Sequence, residues 1–70
     1  MTPTQVIRRI ERRGGLYLRT RGSHRWYIVR YDGGVIRTFV AFHSGDIPIG
    51  TLRKIERDLE PAFGKGWLRR

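Results

Sequence analysis

A turn signal between two strand-like runs constrains the fold of this chain more than any other feature. Asp32-Gly33-Gly34 separates residues 25–31 from residues 35–43, and both runs are rich in aromatic and β-branched side chains. Asp-Gly and Gly-Gly pairs favour the backbone of a two-residue hairpin turn, and the flanking composition is typical of strands. The sequence therefore predicts a β-hairpin. Residues 16–21 alternate as a further strand before it.

A helix is predicted on the N-terminal side of the strands. Thr2 and Gln5 have the spacing of a capping box, and Pro3 stands at the first helical position. Residues 6, 7 and 10 are apolar and share one face at helical spacing. Gly14-Gly15 predicts where this helix ends.

A second helix is predicted after the strands. It is expected to begin near Pro48 or Ile49, with Asp46 as its N-cap and Pro61 at its end. The predicted fold class is therefore α+β in the order α-β-β-β-α. It comprises a three-stranded antiparallel sheet with two helices on one face.

The hairpin register assigns side chains to the two faces of the sheet. A turn of two or four residues pairs strand positions whose numbers sum to an odd value. The face expected under both helices holds Leu16, Leu18, Tyr27, Val29, Ile36, Val40 and Phe42. The opposite face is expected to hold Tyr17, Arg19, Arg21, His24, Trp26, Arg30, Arg37, Phe39 and His43. Aromatic rings among arginines suit stacking on bases and pairing with phosphates, but also docking of a protein.

The charge of the chain points to a polyanionic partner. Fifteen Lys and Arg stand against six Asp and Glu, giving a formal net charge of +9, and all the basic residues except Lys54 and Lys65 are arginines. Nucleic acid is the first class of partner that this composition indicates, and an acidic protein is the second. The chain has no cysteine, no apolar run long enough to span a membrane and no signal-peptide pattern. A cytoplasmic protein is expected.

Gly22-Ser23-His24 is the candidate reactive segment. Histidine can give or take a proton near neutral pH, and the preceding Arg19 and Arg21 suit recognition of phosphate or carboxylate groups. A proton-transfer residue in such surroundings indicates chemistry on RNA, whose 2′-hydroxyl is an internal nucleophile. The alternative is a solvated histidine in a turn.

Two motifs at a fixed distance resemble the HicA family of toxins from toxin–antitoxin pairs. The first is Gly22-Ser23-His24 with Tyr27 three places on, and the second is the run HSGDIPIGTLRKI at residues 43–55. The resemblance covers residues 4–60 and implies a fold like that of double-stranded-RNA-binding domains. It also implies a HicB-type antitoxin partner and cleavage of mRNA that arrests translation, with the family's catalytic histidine at His24.

The chain departs from the family pattern at three places. Arg25 stands where many members carry a second histidine, and Ala41 replaces a proline that is often found in the third strand. Residues 61–70 extend past the usual end. Residues 1–60 are therefore predicted to form the RNA-cleaving domain, and residues 61–70 are an extension without an assigned role.

The leading hypothesis is an endoribonuclease. His24 would draw the proton from the 2′-hydroxyl or protonate the leaving 5′-oxygen, while arginines hold the charge that develops on the phosphate. His43 is the candidate second catalytic group, although it could instead cap the loop that follows. RNA contacts are expected from Arg19, Arg21, Ser23, Arg25, Trp26, Arg30 and Arg37. The sequence has no cluster of metal-ligand residues, so cleavage is expected to need neither metal nor cofactor.

Two further hypotheses come from other functional classes. One is an RNA-binding module without catalysis, which would have no use for His24. The other is a DNA-binding regulator that acts with its antitoxin. Because the chain shows no helix-turn-helix pattern, any contact of the complex with operator DNA is expected to come from the antitoxin.

Overall fold

The computed structural model describes residues 1–70, and its chain order is the predicted α-β-β-β-α. The elements are α1 (Pro3–Arg12), β1 (Leu16–Arg21), β2 (His24–Tyr31), β3 (Gly34–Ala41), α2 (Ile49–Asp58), α3 (Glu60–Phe63) and a 3₁₀ turn (Trp67–Arg69). The strands form one antiparallel sheet in the order β1-β2-β3. The predicted α+β class is confirmed. None of the helices has the length and apolar composition needed to cross a membrane.

Helix α1 begins at the predicted capping box. The Oγ1 atom of Thr2 accepts a hydrogen bond from the backbone N–H of Gln5 at 3.2 Å, and Oε1 of Gln5 accepts one from the backbone N–H of Thr2 at 2.9 Å. This reciprocal pair satisfies amide groups that have no partner within the helix. The chain leaves the helix through Arg13 and Gly14, and Gly14 has a φ of 96°.

Helix α2 begins at Ile49, as predicted, but its N-cap and its end differ from the prediction. Pro48 is the N-cap residue, and no side chain caps this end. Asp46 instead places Oδ1 3.7 Å from the N-terminal ammonium of Met1, so the prediction of Asp46 as the cap is wrong. The helix ends at Asp58, before Pro61 is reached. Pro61 lies in the first turn of α3, where a missing N–H removes no hydrogen bond within the helix.

The core lies between the helices and one face of the sheet. It consists of ten buried side chains: Val6, Ile7, Ile10, Tyr27, Val29, Val40, Ile55, Leu59, Trp67 and Leu68. Trp67 is fully buried, and its Nε1–H donates to the backbone carbonyl of Glu56 at 2.8 Å. The C-terminal segment, which the sequence left without a role, therefore supplies part of the same core as the helices.

A β-bulge changes the faces of the first strand. The pairs before the bulge are Leu16 with Ile28 and Tyr17 with Tyr27, and the pair after it is Arg19 with Trp26. The extra residue, Leu18, interrupts the alternation of side chains. Leu16 is consequently 58% exposed on the face away from the helices, and Tyr17 meets the edge of the Tyr27 ring at 5.9 Å on the helix side. The faces predicted for Leu16 and Tyr17 are wrong.

Candidate nucleic-acid interface

The sheet face turned away from the helices forms the candidate interface, and we call it the open face. The β2–β3 register pairs Tyr31 with Gly34, so the turn is the two-residue Asp32-Gly33, and His24 pairs with Ala41. The residue numbers in each pair sum to an odd value, as predicted. Alternation from them and from the β1–β2 pairs places eleven side chains on the open face: Leu16, Arg19, Arg21, His24, Trp26, Ile28, Arg30, Val35, Arg37, Phe39 and Ala41.

His24 is the first residue of β2 and lies beside a tight turn. Arg21 pairs with His24 across the two-residue turn Gly22-Ser23, and the φ of Gly22 is 57°. The backbone carbonyl of Ser23 accepts a hydrogen bond from the N–H of Phe42 at 2.6 Å, which fastens the turn to the end of β3. His24 is therefore exposed at one end of the open face on a backbone that is hydrogen-bonded on both sides.

Three aromatic rings form a row that begins at His24. The imidazole stacks on the ring of Phe39, with 4.2 Å between the centroids and 25° between the planes. The ring of Trp26 also packs against Phe39, with 4.9 Å between the centroids and the planes tilted by 47°. Cross-strand and diagonal neighbours on one sheet face approach at such distances. The open face thus presents a short aromatic surface that ends in a proton-transfer side chain.

Unpaired arginines flank the aromatic row. Arg21 lies opposite His24 and Arg19 opposite Trp26, while Arg30 and Arg37 lie further along the same face. The ion pairs of the protein join Met1 to Asp46, Lys54 to Asp58 and Arg69 to Glu56. None of the open-face arginines has an acidic partner. Their guanidinium groups are available to phosphate, which they can bind with two parallel hydrogen bonds.

Arg25 lies on the other side of the sheet from His24. It pairs with Thr20 and with the buried Val40, and its guanidinium carbon lies 4.2 Å from the centroid of the Phe42 ring. Arg25 also lies near Tyr27, where its charge and hydrogen bond act to lower the tyrosine pKa against the stronger raising effect of burial. The structure therefore does not bring Arg25 together with the other side chains predicted to bind RNA.

His43 lies two residues beyond the end of β3. Because β3 ends at Ala41, the strand register does not extend to His43. Its side chain lines a cavity of about 220 Å³ together with Pro3 at the start of α1 and Thr51 in α2. No contact joins the two imidazoles. The expected approach of two histidines on one face is not found.

The sequence predicts the correct sheet face for Phe39, although Phe39 is not among the residues predicted to act on or bind RNA. Its neighbour across β2 is Trp26, and its diagonal neighbour is His24. The predicted pairing of β2 with β3 already implies this position. Phe39 is two residues from Ala41, the partner of His24, and therefore lies on the same face of the sheet as His24. What the sequence could not show is that the two rings stack.

No group of three or more His, Asp or Glu side chains is arranged to hold a metal ion.

The sequence model of one protein family, the HicA toxins of bacterial toxin–antitoxin systems, matches residues 4–60 of the 70 residues. The chain belongs to the HicA family. It is therefore a toxin of a toxin–antitoxin system, and membership of the HicA family implies a cognate antitoxin as its partner. Neither the curated proteins nor the solved structures include a match to this chain.

Proposed function

We propose that this HicA toxin is a metal-independent endoribonuclease that cleaves mRNA on its open face, with His24 as the acid or base. The observation that carries the proposal is the position of His24. It is an exposed imidazole at the end of an aromatic row and opposite an unpaired arginine. HicA toxins are known as mRNA-cleaving toxins, which agrees with chemistry on RNA at such a surface.

The aromatic row and the arginines have separate roles in this proposal. Trp26 offers a ring on which an unpaired base can stack, a contact that does not depend on base identity. Arg19 and Arg21 hold the phosphate next to His24, and Arg30 and Arg37 hold phosphates further along the strand. Ser23 contributes the turn that presents His24. A duplex hides the faces of its bases, so the substrate on this surface is unpaired RNA.

The chemical step uses the nucleophile that RNA carries. The ribose 2′-oxygen attacks the neighbouring phosphorus, and the bond from phosphorus to the 5′-oxygen breaks. His24 takes the proton from the 2′-hydroxyl or gives a proton to the leaving 5′-oxygen. Arg19 and Arg21 stabilise the negative charge that grows on the phosphate oxygens. The products are RNA ends with a 2′,3′-cyclic phosphate and a 5′-hydroxyl. In this mechanism the cleavage step requires no metal ion.

The test compares wild type with His24→Ala in an RNA cleavage assay and in an inducible growth assay. His24→Ala is expected to lose cleavage and toxicity while keeping the melting temperature, because its exposed side chain contacts few neighbours. The His43→Ala variant determines whether the acid–base pair contains one histidine or two. A purified His24→Ala that cuts RNA at the wild-type rate would show the catalytic assignment to be wrong, and the protein would then act as an RNA-binding module.

The same assay tests the role of metal and of the 2′-hydroxyl. Cleavage is expected to continue in EDTA, and a substrate with a 2′-deoxy substitution at the cleavage site is expected to stay intact. End-group analysis should find cyclic or 3′-phosphate termini. Cleavage that returns only with magnesium or manganese, or equal cleavage of the 2′-deoxy substrate, would contradict this mechanism.

We also propose that the antitoxin, a HicB-type acidic protein, neutralises the toxin by covering the open face. An acidic surface would pair with Arg19 and Arg21 and would exclude RNA from His24 at once, with association slowing as salt rises. Competition tests this proposal: RNA binding by His24→Ala is measured with and without saturating antitoxin. Loss of RNA binding is expected. Simultaneous binding at undiminished affinity would place the antitoxin elsewhere.

A further inference from the structure

We propose that Phe39 is a positioning residue that sets the orientation of the His24 imidazole for catalysis. The inference rests on the proposed catalytic role of His24. It assigns to Phe39 an action through another side chain rather than direct contact with the RNA. The geometry behind it is the stacked pair, with centroids 4.2 Å apart and planes within 25°.

His24 has no other side-chain restraint. Neither ring nitrogen takes part in a hydrogen bond, and no carboxylate pairs with the ring. A catalytic histidine is commonly oriented by a hydrogen bond to one of its nitrogens, as in the serine-protease triad. In this protein the orientation of the His24 ring depends on its stacking against the ring of Phe39. A face contact leaves both nitrogens free at the ring edge, so one can act on the RNA while the other remains open to water.

Phe39 is itself held in place. It lies in the last third of β3, pairs with Trp26 across the sheet, and is partly buried. The Trp26 ring packs against it at 4.9 Å. The Phe39 ring is thus a fixed surface, whereas the exposed His24 would otherwise sample several rotamers.

Positioning and base stacking make different demands on this ring. The face of Phe39 that His24 covers is not available to a base unless the imidazole moves away. Trp26, at the other end of the row, is free of that constraint and is the stacking residue of the proposed function. Substitution of Phe39 should therefore affect turnover, and substitution of Trp26 should affect substrate binding.

The kinetic test measures kcat and KM on one unpaired RNA substrate for three variants. Phe39→Leu keeps an apolar side chain but removes the aromatic face, and its kcat is expected to fall on the order of 10- to 100-fold with KM within about twofold of wild type. Phe39→Tyr keeps the ring and is expected to restore kcat. Ile49→Ala, a change at an exposed apolar position of α2 outside the open face, is the matched control and should leave both constants unchanged.

A second measurement does not depend on cleavage. In wild type, the ring current of Phe39 should displace the NMR signals of the His24 ring protons, whereas His43 supplies an internal reference. Phe39→Leu should move the His24 signals toward those of an isolated histidine, and Phe39→Tyr should leave them displaced. Unmoved His24 signals in Phe39→Leu would overturn the proposal.

The kinetic outcomes separate this inference from the proposed function. A raised KM with wild-type kcat in Phe39→Leu would make Phe39 an RNA-stacking residue and overturn the positioning role. Wild-type kcat in Phe39→Leu beside an inactive His24→Ala would overturn only the positioning role. Full activity of His24→Ala would overturn the proposed function itself.

Discussion

Tyr27 is the residue at which protonation and folding are most directly coupled. Its ring is only 2% exposed. Burial raises the pKa of the hydroxyl above its ordinary value of 10.0, the negative charge of Glu11 raises it further, and Arg25 acts in the opposite direction. The folded protein therefore favours the neutral hydroxyl, whereas the unfolded chain ionises at the ordinary pKa.

We expect the free energy of unfolding to fall as pH rises above about 10 because of Tyr27. Above that pH the unfolded chain loses the proton and the folded chain retains it, so ionisation stabilises the unfolded state. Below it both states are neutral and Tyr27 contributes no pH dependence. The slope from one group is at most about 1.4 kcal/mol per pH unit.

Urea unfolding at several alkaline pH values measures this slope for wild type and Tyr27→Phe. In Tyr27→Phe, the part of the alkaline decrease in unfolding free energy that comes from Tyr27 should disappear. Tyr31→Phe, at the end of β2, is the matched control and should keep it. An unchanged slope in Tyr27→Phe would mean that the buried hydroxyl ionises as easily as in the unfolded chain.

At the scale of elements, Gly22 and Gly50 isolate the effect of backbone conformation. A Cβ atom added at either residue meets no atom within 4 Å, so sterics with neighbours do not distinguish them. Gly22 has a φ of 57° in the turn before His24, and Gly50 lies in the first turn of α2 without a positive φ. A residue with a side chain is strained in the positive-φ conformation of Gly22, whereas alanine is more stable than glycine in the helical conformation of Gly50.

Gly22→Ala should lower the free energy of unfolding by roughly 1–2 kcal/mol, and Gly50→Ala should raise it by roughly 0.4–1 kcal/mol. Gly22→Asn should lose less than Gly22→Ala, because asparagine tolerates positive φ. Denaturant titrations of the three variants measure these changes. Equal effects of alanine at both positions would show that the turn conformation carries no preference for glycine.

Local chemistry explains which elements the sequence could predict. The capping box at Thr2 and Gln5 acts within one helical turn, and the Asp32-Gly33 turn sets the register of β2 and β3 within two residues. The bulge at Leu18 has no such local sign, because Leu16-Tyr17-Leu18 alternates as an unbroken strand would. The bulge is visible only in the pairing of β1 with β2. The wrong sheet face predicted for Tyr17 follows from the one extra residue, Leu18.

At the scale of the molecule, the open face was largely predictable and its details were not. Alternation from the hairpin placed His24 and Trp26 on one face with four arginines, which is the main part of the candidate site. Arg25 is predicted to contact RNA, yet it lies on the other side of the sheet from His24, because neighbouring strand residues point to opposite faces. His43 lies past the end of β3, where strand periodicity no longer applies.

The whole molecule also depends on its last ten residues, which carry no periodic pattern. Trp67 is fully buried among the helix and sheet side chains. Next to it, Arg69 pairs with the buried carboxylate of Glu56 at 3.1 Å, and Nη1 of Arg9 donates to the carbonyl of Leu68 at 3.2 Å. These contacts tie the segment to both α1 and α2. In a domain of this size, a single buried tryptophan is a large part of the core.

Trp67→Ala should lower the free energy of unfolding by roughly 3–5 kcal/mol, the range for loss of a buried large aromatic side chain. Small domains are stable by only about 5–15 kcal/mol, so the variant should melt far below wild type and lose the fixed geometry of the open face. Lys65→Ala, at an exposed position of the same segment, is the control and should melt like wild type. Thermal unfolding followed by circular dichroism makes the comparison. If Trp67→Ala melted with the control, the C-terminal segment would be a separate appendage, and the fold that presents His24 would be complete without it.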